Sequence, residues 1–186
     1  MQTESLTRLT YEDFLAFPED GQRHELIGGA HVVSPSPVTQ HQRASFRLSG
    51  AFHDYFRRHR VGEAFAAPFD VVLSNFDVVE PDLLVVLADQ HEIVTAQHVR
   101  GAPAIVVEIL SPATRCRDEG LKRRLYERSG VQEYWLVDVE CRAVTAWARS
   151  PEGDLAWMAL LRRADCAVLT SPLLPEFALS LEELFR

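Results

Sequence analysis

A mixed α/β domain of the α+β kind is what this sequence predicts, and three observations carry it. β-branched apolar runs crowd the middle of the chain, helical periodicity flanks them, and no repeat, low-complexity stretch or linker divides the 186 residues. That length lies within the roughly 100 to 200 residues of one domain and suffices to bury about 70% of the unfolded chain's surface. A single domain over residues 1–186 is expected.

The elements follow in order. Thr10-Tyr-Glu-Asp13 has the form of a capping box, and Phe14, Leu15 and Phe17 continue it as a short helix that Pro18 ends. RHELIGGAHVVSPSP reads as two strands turning at Gly28-Gly29, stopped by a proline-bounded loop. From Val38 to His59, Phe46, Leu48, Phe52, Tyr55 and Phe56 recur at the spacing of a long amphipathic helix, which ends in the basic Arg57, Arg58 and Arg60. Ala64 to Leu87 reads as a hairpin, with AAPFDVVLS and VVEPDLLVVL as arms and Asn75-Phe76-Asp77 as the turn. After a connection, IVVEIL is a strand that Ser111-Pro112 stops. Residues 118–129 have a helical pattern with Leu121 and Leu125 on one stripe and Gly130 just past the end. EYWLVDV and AVTAWARS are strands joined around Glu140-Cys-Arg142, and LLPEFALSLEELF closes the chain with a short helix.

Composition narrows the function classes. Hydrophobic residues at 47% and charged at 25% exclude the patterns of disorder, collagen and coiled coil. No apolar run approaches the ~18 residues of a membrane span. The amino terminus, MQTESLTRLTYEDF, lacks a signal-peptide layout, so a cytoplasmic address is expected. Cys116, Cys141 and Cys166 are odd in number with no CxxC pair, which suggests neither disulfides nor zinc. A net charge of −8 argues against non-specific coating of nucleic acid. Two basic clusters run against that sign: Arg57, Arg58 and Arg60, and then Arg115, Arg117, Lys122, Arg123, Arg124 and Arg128. They are either phosphate contacts or solvated helix faces.

The chemistry begins with Glu108, a carboxylate inside the apolar run IVVEIL, where an unpaired charge costs several kcal/mol. Asp82, in VVEPDLLVV, repeats the anomaly, and Pro81 before it implies an edge, an irregularity or the end of a sheet. A hard cation such as Mg²⁺ is typically held by one or two carboxylates plus water, and its charge would offset the burial of both acids. The alternatives are, for Glu108, a buried ion pair with an arginine or a strand-end position facing solvent, and for Asp82 a turn or bulge role.

ELIGG, HQR at the head of the long helix, APFDVVLS, VVEPDLLVV, GAPAIVVEILSPAT, RCRDEGLKRRLYERSGVQEYWLVD and the terminal LLPEF and LEELF, taken in order, resemble the Uma-type restriction endonuclease family of the PD-(D/E)XK nuclease superfamily. The resemblance runs from about residue 10 to residue 186. It implies a restriction-endonuclease-like core, a central mixed β-sheet flanked by helices. It also implies Mg²⁺ or Mn²⁺ held by Asp82, Glu108 and the backbone carbonyl of Ile109, and hydrolysis of DNA phosphodiesters.

The superfamily pattern places a lysine two residues after the glutamate, where this chain has Leu110. Lys122 is the candidate replacement, because related families carry the lysine on the following helix, and Asp118, Lys122 and Tyr126 share one stripe there. A solvated Lys122 paired with Asp118 is the alternative. Glu25 resembles the acidic residue that many of these nucleases bring from the amino-terminal region, and a salt bridge to Arg23 is the competing role. His41, at the head of the long helix, is a candidate contact to a phosphate or to the site, with an exposed first-turn residue as the alternative and Gln42 beside it less informative.

Two functions compete. One is a metal-dependent DNA endonuclease, and the other is a non-catalytic nucleic-acid-binding or assembly module retaining the fold, which the missing lysine at 110 motivates. A homodimer, with Tyr134, Trp135, Trp147 and Trp157 as interface or core residues, is expected on the resemblance and on the frequency of twofold oligomers.

Overall fold

The structure, a computed structural model, describes residues 8–18 and 20–186. The amino-terminal stretch read for a leader layout lies partly outside them. Thr10 caps helix α1 (Tyr11–Phe14): the two residues exchange the paired hydrogen bonds of a capping box, with Thr10 N–H donating to the Asp13 carboxylate at 2.8 Å. Strands β1 (Arg23–Ile27) and β2 (Ala30–Ser34) turn at Gly28 and Gly29. Their φ values of 61° and 81° are the left-handed pair that a two-residue hairpin turn demands.

Helix α2 (Thr39–Arg58) buries His41, Ala44, Leu48, Phe52 and Tyr55. Phe46, expected on that stripe, is 81% exposed. It lies two residues from both Ala44 and Leu48, about 200° round the axis from each, so it cannot share their face.

The segment from Ala64 to Leu87 is not one hairpin but two nested ones in different sheets. Pro68 separates β3 (Gly62–Ala66) from β4 (Val71–Ser74), and Pro81 separates β5 (Asp77–Val79) from β6 (Leu83–Leu87). β4 and β5 pair across the Asn75-Phe76 turn, whereas β3 and β6 pair elsewhere. A proline has no N–H to carry a ladder onward, and at both prolines the chain changes sheets. Pro81 therefore marks the end of a sheet.

The remaining strands are β7 (Val99–Arg100), β8 (Ile105–Leu110), β9 (Glu133–Asp138), β10 (Ala143–Arg149), β11 (Leu155–Arg162), β12 (Val168–Ser171) and β13 (Leu174–Ser180). One sheet runs β2-β1-β5-β4-β7, and the larger runs β11-β10-β9-β8-β6-β3. Within the larger sheet β8 and β9 are parallel and their neighbours antiparallel, which makes it mixed. Leu174–Ser180 is strand, and the short closing helix is α3 (Leu181–Leu184).

A π-helical turn (Arg117–Lys122) opens the helix expected at 118–129, and an α-helix (Arg123–Ser129) completes it before Gly130 at φ 97°. The wide turn shifts the buried line. Asp118, Lys122 and Tyr126 are 2%, 1% and 0% exposed, while Leu121, expected inside with Leu125, is 40% exposed.

The two faces of β8 meet different partners. Ile105, Val107 and Ile109 pack in the core that holds α2, while Val106 and Leu110 pack in the core that holds Leu125 and Tyr126. Alternation puts Glu108 on the second face, beneath the π turn. Tyr134 and Trp135 are fully buried, so neither is free for an interface, whereas Trp157 on edge strand β11 is 64% exposed. No helix among the described residues is long and apolar enough to cross a membrane. All three cysteines are free and exposed.

Gly62 opens β3 against the backbone of β6. A Cβ there would fall inside van der Waals contact of the Val86 carbonyl oxygen and 2.9 Å from Leu87 Cα, both backbone atoms with little room to yield. Gly62→Ala should lower stability by about 1 to 3 kcal/mol, read as a lower urea midpoint with unchanged slope.

Candidate active site

Asp82 stands at the crossing between sheets, immediately before β6, and reaches across to β8. Its Oδ2 accepts the Ile109 N–H at 2.7 Å and lies 3.1 Å from His41 Nε2, while its Oδ1 accepts from Arg23 Nη1 at 2.9 Å. Burial opposes ionisation of this carboxyl, but His41, Arg23 and the Ile109 N–H outweigh it and hold Asp82 below the usual carboxylate range. His41 is 7% exposed in the first turn of α2, so that helix delivers its imidazole directly onto the acid.

Glu108 has the opposite electrostatics. Its Oε1 accepts from Lys122 Nζ at 2.9 Å and from the Tyr126 hydroxyl at 2.7 Å. Burial pushes its pKa up to about 8. Lys122 opposes the rise, and Asp118, Asp82 and Glu25 add to it. Lys122 cannot neutralise Glu108 alone, because the same ammonium lies 2.6 Å from Glu25 Oε1. Burial likewise disfavours the charge on Lys122, yet Glu108, Glu25 and Asp118 prevail and keep it a cation.

Glu25, on β1 of the smaller sheet, is fully buried and also accepts the Glu80 N–H at 3.1 Å. The competing partner expected for it, Arg23, instead pairs with Glu80 at 2.7 Å and with Asp82. Lys122 is no solvated lysine, and the cation on Glu108 is that lysine rather than an arginine. The five residues singled out from the sequence, Glu25, His41, Asp82, Glu108 and Lys122, are thus joined in one network.

Sequence reasoning missed Asp118 as a member in its own right. It is buried with Oδ1 free of hydrogen bonds, and burial raises its pKa despite Lys122. Arg23, offered by the sequence only as an alternative partner for Glu25, belongs to Asp82 and Glu80. Its place two residues before Glu25, on the same face of β1, was the available signal.

A cavity of about 250 Å³ opens on the network, lined by Arg23, His41, Asp82, Glu108, Asp118 and Lys122 among others. Four carboxylates, Glu25, Asp82, Glu108 and Asp118, share three cations, Arg23, Arg117 and Lys122. Glu25 Oε2 and Asp118 Oδ1 are buried without a hydrogen-bond partner, and Glu108 Oε2 makes no hydrogen bond among the described residues. With the Glu108 pKa raised to about 8, a proton offsets this surplus of buried carboxylates near neutral pH, and a divalent cation is suited to take the proton's place. No three His, Cys, Asp or Glu side chains among the described residues are grouped to enclose an ion by themselves. That leaves the hard-cation arrangement of one or two carboxylates, carbonyl oxygen and water.

With acids and lysine converging on a mixed sheet, comparison with known proteins becomes decisive. Residues 11–182 match the model of the Uma2 family, described as "Putative restriction endonuclease". The chain belongs to the Uma2 family. A similar sequence, 27% identical over 158 residues covering 82% of this chain and 80% of the other, is the "Uncharacterized protein slr1290" of Synechocystis sp. (strain ATCC 27184 / PCC 6803 / Kazusa). Among solved structures, this Uma2 chain is similar to a "putative nuclease belonging to DUF820" from Anabaena variabilis ATCC 29413, at TM-score 0.79 and 20% identity. The match covers 95% of this chain and 97% of that one, and it shows a shared fold.

Most of the second basic cluster read from the sequence is drawn into ion pairs, with the exposed Arg124 left outside them. Arg115 is taken by Asp138, Glu119 and Glu140, Arg123 by Glu127, and Arg128 by Asp77. Arg117 turns inward toward Glu25, and Lys122 is buried.

Proposed function

We propose that this protein is a metal-dependent endonuclease that hydrolyses DNA phosphodiesters, with Asp82 and Glu108 as metal ligands. The observation that carries the reading is the buried surplus of carboxylates around a cavity served by one lysine. Asp82, Glu108 and the Ile109 backbone carbonyl would hold Mg²⁺ or Mn²⁺, which when bound supplies Lewis acidity and an activated water. Arg23, His41 and the Ile109 N–H hold the Asp82 carboxylate ionised and fixed in direction. Lys122, carried by the π turn, takes the place of the lysine that Leu110 denies, and its ammonium orients the Glu108 carboxylate and stabilises negative charge at the cavity. Glu25 keeps Lys122 charged and anchored from the other sheet. A homodimer would present two such sites, one for each strand of a duplex.

One observation favours a non-catalytic nucleic-acid-binding or assembly module: both oxygens of Asp82 already accept hydrogen bonds from the protein. A single pair of measurements separates the readings. On the nuclease reading, purified protein nicks supercoiled plasmid DNA with Mg²⁺ or Mn²⁺, EDTA stops the reaction, and calorimetry detects divalent-ion binding at millimolar concentration or below. Absence of both cleavage and ion binding would leave the module.

A further inference from the structure

Arg43 and Arg47 stand one turn apart on the flank of α2, Arg142 in the turn between β9 and β10, and Arg186 after α3. All four line a cavity of about 150 Å³ together with Gln40. Among the described residues none of these arginines is within ion-pair distance of a carboxylate; the same holds for Arg57, Arg58, Arg60 and Arg124 among others, and what sets these four apart is that they converge on one concavity. Such a convergence stands out in a chain of net charge −8, where acids outnumber basic residues. Arg47 Nη1 donates to the Leu184 carbonyl at 3.1 Å, which seats it against the pocket wall. Arg43, Arg142 and Arg186 are exposed, with no side-chain hydrogen bond among the described residues. Four guanidinium groups at one concavity without acid partners match the chemistry of phosphate oxygens, for which the planar fork is suited.

The pocket's position relates it to the acidic cavity. β8 and β9 are parallel, with Leu110 opposite Asp138, so both end at the same rim of the sheet. Ser111, just past β8, lines the acidic cavity, and Val139, just past β9, lines the arginine pocket. α2 bridges them: His41 faces the acids, while Gln40, Arg43 and Arg47 face the arginine pocket, with Arg47 about 9 Å along the axis from His41. We infer that the pocket of Arg43, Arg47, Arg142 and Arg186 docks phosphates of the DNA strand flanking the one held at the acidic cavity. The inference rests on the nuclease reading. It gives an acidic protein a local positive foothold at the same rim of the sheet as the acidic cavity.

The test uses the full chain in EDTA, where no cleavage is expected, with anisotropy of a short labelled DNA duplex as the readout. Arg43→Gln with Arg142→Gln removes two side chains that hold nothing else in the fold. The double variant should bind at least about tenfold more weakly, with a salt slope shallower by about 1.8 for two lost phosphate contacts. Replacement of both by lysine should restore most of the affinity. Undiminished affinity and slope in a double variant that still cleaves DNA with Mg²⁺ would overturn the docking pocket and leave the nuclease reading standing. If the unaltered protein neither binds nor cleaves DNA, the nuclease reading fails, and the docking inference fails with it. Calorimetry with inorganic pyrophosphate then separates a small-phosphate site, whose binding is lost in the double variant, from no anion site at all.

Discussion

Glu108→Gln is expected to abolish cleavage and to make the protein more stable. If Glu108 holds the metal as proposed, its replacement removes several kcal/mol of transition-state stabilisation, so activity should fall by about 10³-fold or more. The stability gain follows from the electrostatics described above. Glu108 Oε1 accepts from Lys122 and Tyr126, and a glutamine oxygen at the same place accepts from both. What disappears is a buried negative charge that Lys122 can only half compensate, because Glu25 shares the ammonium.

The pH dependence has a definite sign. The pKa of Glu108 rises from 4.5 to about 8 on folding, so its contribution is fully present below the unfolded value and is lost as pH rises through about 8. The glutamine variant has no such loss. Measured by calorimetry in EDTA, its advantage in Tm should grow between about pH 5 and pH 8 and level off above that. A gain of only 1 kcal/mol at pH 8 corresponds to roughly 2 to 4 °C. A variant that melts lower than the parent at high pH would contradict this account of the charge surplus.

Lys122→Met is expected to be the costlier change for the fold. It leaves Glu25 and Glu108 facing one another with no cation between them, and breaking a buried pair by removing one partner typically costs about 3 to 5 kcal/mol. The urea midpoint should fall accordingly. Protonation of an acid relieves the repulsion, so the deficit should shrink toward low pH. Saturating Mg²⁺ should restore part of the stability, because the ion takes over the compensation. Cleavage should remain depressed even where Mg²⁺ restores the fold, which separates the role of Lys122 at the cavity from its role in stability.

The sequence made some of this legible for physical reasons and hid the rest for others. A carboxylate inside an apolar strand announces itself, because nothing but a partner or an ion makes its burial tolerable. Asp82 and Glu108 were therefore visible, and so was the departure at Leu110. Turn chemistry was equally plain at Gly28-Gly29, where two left-handed residues are needed. Proline was ambiguous: Pro68 and Pro81 signalled a break, but nothing local says that the chain resumes in a different sheet, so two nested hairpins read as one. Phe46 was misplaced because five aromatic and leucine positions approximate a helical stripe even when one lies on the far side. Leu121 was misplaced because a π turn leaves no mark in residue type. Arg23 was obscured for a related reason: its partner Asp82 sits on another element, and pairing across 59 residues cannot be read from spacing. The second basic cluster was ambiguous for the same reason, since Arg115, Arg117, Arg123 and Arg128 found acids that spacing does not reveal, while Arg124 did not.

Carrying the ammonium on a wide helical turn makes the apparatus sensitive to chain length as well as to side-chain identity. Removing one residue between Arg117 and Lys122 would restore ordinary α geometry and swing everything upstream by about 100° relative to Tyr126, taking Asp118 and Arg117 out of alignment. Relatives that lose or regain a single codon there would switch this corner of the molecule off or on, with the strands beneath left intact.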